Sequence, residues 1–99
     1  MKKLLACLLL VALAPLASAS DELAKAKNCT TCHALDKKIV GPSYRDIVAK
    51  RAGEKGAEVA LAQKIKNGSK GDWGQVPMQA NNVTDAEAAT LAKWVLSHK

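Results

Sequence analysis

Cys29-Thr30-Thr31-Cys32-His33 constrains this chain more than any other stretch. Two thiols three residues apart, followed at once by an imidazole, form the attachment pattern of a c-type haem. On one helical turn, positions i, i+3 and i+4 share a face, so Cys29, Cys32 and His33 can all turn toward one porphyrin. The thiols would bond to its two vinyl groups, and His33 would take one axial position on the iron. The pattern is short, so its weight depends on the residues around it.

The beginning of the chain reads as an export signal. Met1-Lys2-Lys3 is a positive n-region, residues 4–14 are almost purely apolar, Pro15 breaks the run, and Ala17-Ser18-Ala19 supplies a small-residue cleavage pattern. The apolar run is short for a bilayer span, and an uncleaved anchor is the alternative. We therefore expect a signal peptide over residues 1–19, one domain over residues 20–99 and a periplasmic location, with no stable membrane insertion. Cys7 would leave with the signal. Without Lys2 and Lys3 the basic residues number 13 against nine acids, a charge of about +4. So modest a charge, spread along the chain, argues against nucleic-acid binding.

The remaining 80 residues hold no Phe, two Trp and one Tyr. Small domains bury proportionally little surface, and at this size a staple, metal or cofactor usually supplements the core. A covalently held porphyrin would supply that apolar mass. Exported cysteines more often form disulfides, but a bridge between Cys29 and Cys32 would close too short a loop to constrain the unfolded chain much. A thioredoxin-like CxxC calls for a βαβ pattern, and no convincing strand is evident. A zinc site needs four ligands, and beyond the two thiols only His33 and the distant His98 are on offer.

The elements read as helices. Ser20 or Asp21 can cap a first helix running to about residue 28. Gly41-Pro42 punctuates a turn, and Ser43 can cap a second helix with Tyr44, Ile47 and Val48 on one side and Gly53 at its end. A third helix is expected over 57–66, with Val59, Leu61, Ala62 and Ile65 apolar and Asn67-Gly68 terminating it. Residues 69–83 show no period, and a loop of about fifteen residues in so small a domain is usually functional. Thr84-Asp85-Ala86-Glu87 is a capping box opening a last helix with a core face of Ala88, Leu91, Trp94 and Val95. The class is all-α, with about four short helices.

The sixth iron position decides the chemistry. Outside the signal the chain has one methionine, Met78, in the middle of the long loop. A lone Met commonly fills a gap in a core, but beside a haem motif Met78 reads as the second axial ligand. His/Met ligation raises the reduction potential. His98 is the rival ligand, although its place at a helix end suits a cation beside the C-terminal dipole. Trp73 and Trp94 are packing residues whose N–H groups need partners when buried. Trp73 could donate to a haem propionate, and Lys64 or Arg45 could pair with one, each being otherwise a solvated charge.

With these residues in view, the chain resembles the class I cytochromes c, and closely the small bacterial c-551/c-552 electron carriers. The resemblance covers essentially all of residues 21–99. It is carried by Asn28-Cys29-Thr30-Thr31-Cys32-His33-Ala34, Val40-Gly41-Pro42-Ser43-Tyr44, Ile65-Lys66-Asn67-Gly68-Ser69, Trp73-Gly74 through Pro77-Met78, and Leu91-Ala92-Lys93-Trp94-Val95-Leu96. It implies a class I cytochrome c fold around one haem c, thioethers from Cys29 and Cys32, and axial ligands His33 and Met78. It further implies a hydrogen bond from His33 to the Pro42 carbonyl, a donor from Asn81 near the Met78 sulfur, and propionate contacts from Trp73 and Lys64. The first and last helices would cross, bringing Leu23, Ala24 or Lys27 near Leu91, Trp94 and Val95. Two departures stand out. Gln79-Ala80 follow Met78 where the family often has prolines, and Arg51 stands where an apolar aromatic is common, so that the core loosens there or the arginine snorkels outward.

The function expected is a monomeric periplasmic carrier that shuttles single electrons along a respiratory chain and transforms no substrate. The resemblance suggests a haem-containing nitrite reductase, a cytochrome oxidase or a cytochrome c peroxidase as acceptors. A haem enzyme or gas sensor would need an open sixth position and a distal acid–base group, and none is evident beside Met78. A thiol oxidoreductase using Cys29 and Cys32 would be colourless and need free thiols.

Overall fold

A computed structural model describes residues 16–98, with side chains from residue 20 onward; most of the expected signal segment lies outside the described residues. Five helices follow in order: α1 (Leu16–Ala26), α2 (Cys29–Cys32), α3 (Tyr44–Arg51), α4 (Ala57–Asn67) and α5 (Asp85–Leu96). Among the described residues there is no strand, only isolated bridges between His33 and Lys38 and between Ser69 and Met78. The all-α expectation holds, and the element beyond the expected four is the short helix of the CxxC segment itself.

The caps fall where the side chains place them. Ser43 Oγ accepts from the Asp46 amide at 3.1 Å and starts α3. Thr84 and Glu87 form a reciprocal capping box, with hydrogen bonds of 3.1 and 2.9 Å, and start α5. The beginning of α1 differs from expectation: helix runs from Leu16, so Ser20 and Asp21 lie inside it rather than capping it. The alanines and leucine of that stretch are strong helix formers, and they carry the helix past two residues that could have capped it. At its far end Asn28 takes a left-handed conformation (φ 63°) and turns the chain into α2.

α5 is the central element. It packs along α4 and also meets α1 and α3. Ala24, Leu91 and Ala92 are essentially sealed from solvent, and Tyr44, Ile47, Leu61, Ile65, Val83, Ala88, Trp94 and Val95 complete the core around them. The buried line on α4 is Ala57, Leu61 and Ile65, spaced four apart. Val59, expected on that face, is 64% exposed; two residues from Leu61 is about half a turn, which points it away from α5. The expected meeting of the first and last helices is present. Trp94 Nε1 donates to Asp21 Oδ1 at 2.7 Å, giving the buried indole its partner. Arg51 resolves as the snorkelling case: its side chain is 11% exposed, and its guanidinium reaches out to Glu54 at 2.9 Å.

Candidate haem site

Cys29 and Cys32 open and close α2, and they are not bridged to each other. His33 leaves the helix with extended backbone (φ −125°, ψ 140°), while its amide still reaches the Cys29 carbonyl at 2.9 Å. The three donors are therefore neighbours across a helix end rather than along one helical face. The following residues fold back over them. The Cys32 carbonyl accepts from the Gly41 amide at 2.8 Å and the Val40 amide at 3.3 Å, and the Ala34 carbonyl accepts from the Tyr44 amide at 2.9 Å.

This return brings Pro42 to His33. His33 Nδ1 lies 2.7 Å from the Pro42 carbonyl oxygen. A carbonyl can only accept, so Nδ1 carries the proton and Nε2 is the ring nitrogen left for a metal. Such an outer hydrogen bond fixes ring orientation and tautomer in metal-ligating histidines. Gly41 is the residue that lets the imidazole sit so close. A Cβ there would stand 2.4 Å from His33 Cε1.

Met78 is held by a second device. Its amide donates to the Ser69 carbonyl at 2.8 Å and its carbonyl accepts from the Ser69 amide at 2.9 Å, closing the 69–78 loop at its base. Gly68 precedes this pair with φ +88°, and a Cβ on it would lie 2.8 Å from the Met78 carbonyl oxygen. Met78 and Cys29 both pack, partly buried, against the same core cluster. Asn81 anchors the segment that leaves the loop: its Nδ2 donates to the Ile65 carbonyl at 2.8 Å and the Gln79 carbonyl at 3.4 Å.

Other candidates take partners within the protein. Lys64 pairs with the Asp72 carboxylate. Trp73, 40% exposed, carries the Lys50 ammonium over its ring at 4.3 Å from the centroid. His98 is part-buried at the end of α5: its Nδ1 approaches the carbonyls of Trp94 and Val95 at 2.8 and 3.2 Å, and its ring packs on Trp94 and Tyr44. The Tyr44 hydroxyl is buried without a partner among the described residues. Burial, and then the nearness of Cys29 and Asp21, pushes its pKa up to about 12.

Burial pushes the Cys29 thiol pKa up, against a smaller opposing effect of a backbone hydrogen bond and with a contribution from Cys32. A thiol-exchange nucleophile needs the opposite, a stabilised thiolate. The donor set instead fits haem c: two adjacent thiols, an imidazole with Nε2 unspent, and a thioether on a closed loop.

The sequence matches the cytochrome c family over residues 17–99. It is 61% identical to cytochrome c-551 of Pseudomonas aeruginosa over 79 residues, covering 80% of this chain and 76% of that protein. It is 52% identical to cytochrome c-552 of Hydrogenobacter thermophilus over 99 residues, the full length of both. In structure it is similar to wild-type Nitrosomonas europaea cytochrome c552, with a TM-score of 0.77, 51% identity, and coverage of 80% of this chain and 99% of that one. The chain belongs to the cytochrome c family. It carries one covalently attached haem c, with Cys29 and Cys32 in the attachment motif, and its likeness to the c-551 and c-552 proteins makes it a small monohaem electron carrier.

Proposed function

We propose that this chain is a periplasmic single-electron carrier whose haem iron is held by His33 and Met78, and that the export signal ends at Ala19. The reading rests chiefly on the hydrogen bond that His33 Nδ1 donates to the Pro42 carbonyl, which leaves Nε2 as the ring nitrogen available to the iron. The haem supplies reversible one-electron chemistry. Around it, His33 is held in one orientation, and Met78 is held on a loop closed by paired backbone hydrogen bonds. Two ligands so held would leave the coordination shell nearly unchanged between oxidation states, which would suit fast exchange and leave no open position for substrate.

Docking is left to the surface. Ile39, Val40 and Val76 are exposed apolar side chains, Val76 at 67%, and lysines on the helices can steer an acidic partner. Redox encounters use small interfaces and weaken with ionic strength. The partners proposed are respiratory redox proteins, with a haem-containing nitrite reductase, an oxidase or a peroxidase as acceptor.

The test is the absorption spectrum of oxidised protein taken from periplasm, followed by reduction under carbon monoxide. A weak far-red methionine–iron band with no carbon monoxide binding is expected. Ready carbon monoxide binding would remove Met78 from the iron and turn the reading to an enzyme or gas sensor. Sequencing of the exported protein should begin at Ser20.

A further inference from the structure

We propose that Asp72 is a positioning residue for Met78, a latch that holds the 69–78 loop against α3 and α4; this rests on the reading of Met78 as an axial ligand. Asp72 Oδ2 receives two donors, the Lys64 ammonium from α4 and the Ser69 hydroxyl at 2.9 Å. Its backbone carbonyl receives a third, Lys50 Nζ from α3 at 2.5 Å. The same Lys50 ammonium lies over the ring of the next residue, Trp73. Ser69 is in turn paired with Met78 through both backbone hydrogen bonds. One contiguous set of contacts therefore runs from α4 through Asp72 and Ser69 to the ligand residue.

The latch has a job to do. Residues 72–77 make no hydrogen bond to one another among those described, and most of them are exposed. Beyond Met78 the chain continues Gln79-Ala80, which lack the φ restraint that proline would supply. Beyond the Ser69–Met78 backbone pairing, restraint on the loop comes from its side chains, and Asp72 is where both helices reach it. The Lys64 and Ser69 hydrogen bonds, in that order, hold the Asp72 carboxyl below the usual carboxylate range. An ion pair whose side chains are 33% and 32% exposed adds little to global stability. A loop that opens locally is governed by its own few contacts, so the effect is expected in Met78 release and not in overall unfolding.

The test uses ferric holoprotein titrated with imidazole, following loss of the far-red methionine–iron band well below the unfolding temperature. Asp72→Asn should raise imidazole affinity about three- to tenfold, the factor that one or two modest hydrogen bonds supply. Ser69→Ala should shift it in the same direction by less, and decides the matter if Asp72→Asn does not accumulate. Glu58→Gln, an exposed acid on α4 outside the loop, controls for charge and should match wild type. A band present in wild type and absent in Met78→Ala, with wild-type imidazole affinity in Asp72→Asn and Ser69→Ala, would overturn the latch alone. A band missing from wild type, or kept in Met78→Ala, would remove the ligand reading and the latch with it.

Discussion

Gly41 shows how much of the site rests on one missing methyl group. A Cβ there would overlap His33 Cε1, so Gly41→Ala has to displace the imidazole or the turn that carries Pro42. Overpacking of this kind costs about 1–3 kcal/mol. We expect lower thermal stability of the ferric protein and, on the proposed ligation by His33, carbon monoxide binding once the protein is reduced, because a displaced ring would bind the iron less well. An unchanged melting temperature and spectrum would mean the turn yields without cost. The sequence made Gly41 visible only as turn punctuation. Pro42 could be assigned as the partner of His33 because the family resemblance carried it. Asp72 escaped notice because its role depends on two lysines on separate helices, and only the tertiary fold brings them to one carboxylate. The local cue was Ser69, three residues earlier.

Among the elements, α5 is the one whose boundaries are written in side chains. Removing the cap with Thr84→Ala should cost about 1 kcal/mol in denaturant unfolding near neutral pH. Glu87 adds a pH signature. Its hydrogen bond to the Thr84 amide is the main influence holding its carboxyl below the ordinary range. A depressed pKa means that the contribution is present above the unfolded-state value and is lost as pH falls through the folded-state value. Glu87→Gln should therefore be less stable than wild type near neutrality, and the two should converge in acid. A difference independent of pH would show that the charge plays no part. Capping chemistry is local, which is why α3 and α5 could be placed from sequence. Val59 could not, because hydrophobicity alone does not say which side of α4 meets α5. His33 was misplaced onto the helical face for a related reason: the i, i+4 spacing ignores the extended backbone that begins at that residue.

At the scale of the molecule, the protein's own core is one cluster built largely from α5 and small alanines, with a single tyrosine and a single tryptophan in it. Such a core is thin for a domain of this size, so folding should depend on the prosthetic group. The Cys29→Ala/Cys32→Ala variant is expected to show little helical circular dichroism and rapid proteolysis. A haem-free chain with native-like helicity would show that the polypeptide suffices. The hydrogen bond from Trp94 to Asp21 bears on something else. It joins residues 73 apart in sequence, so α1 and the end of α5 come to rest side by side. Chains with adjacent ends tolerate being rejoined and reopened elsewhere. A short Gly/Ser linker from residue 99 back to residue 20, with a new opening at Glu54-Lys55 between α3 and α4, would give a circular permutant in which the attachment motif is made after α4 and α5 instead of before them.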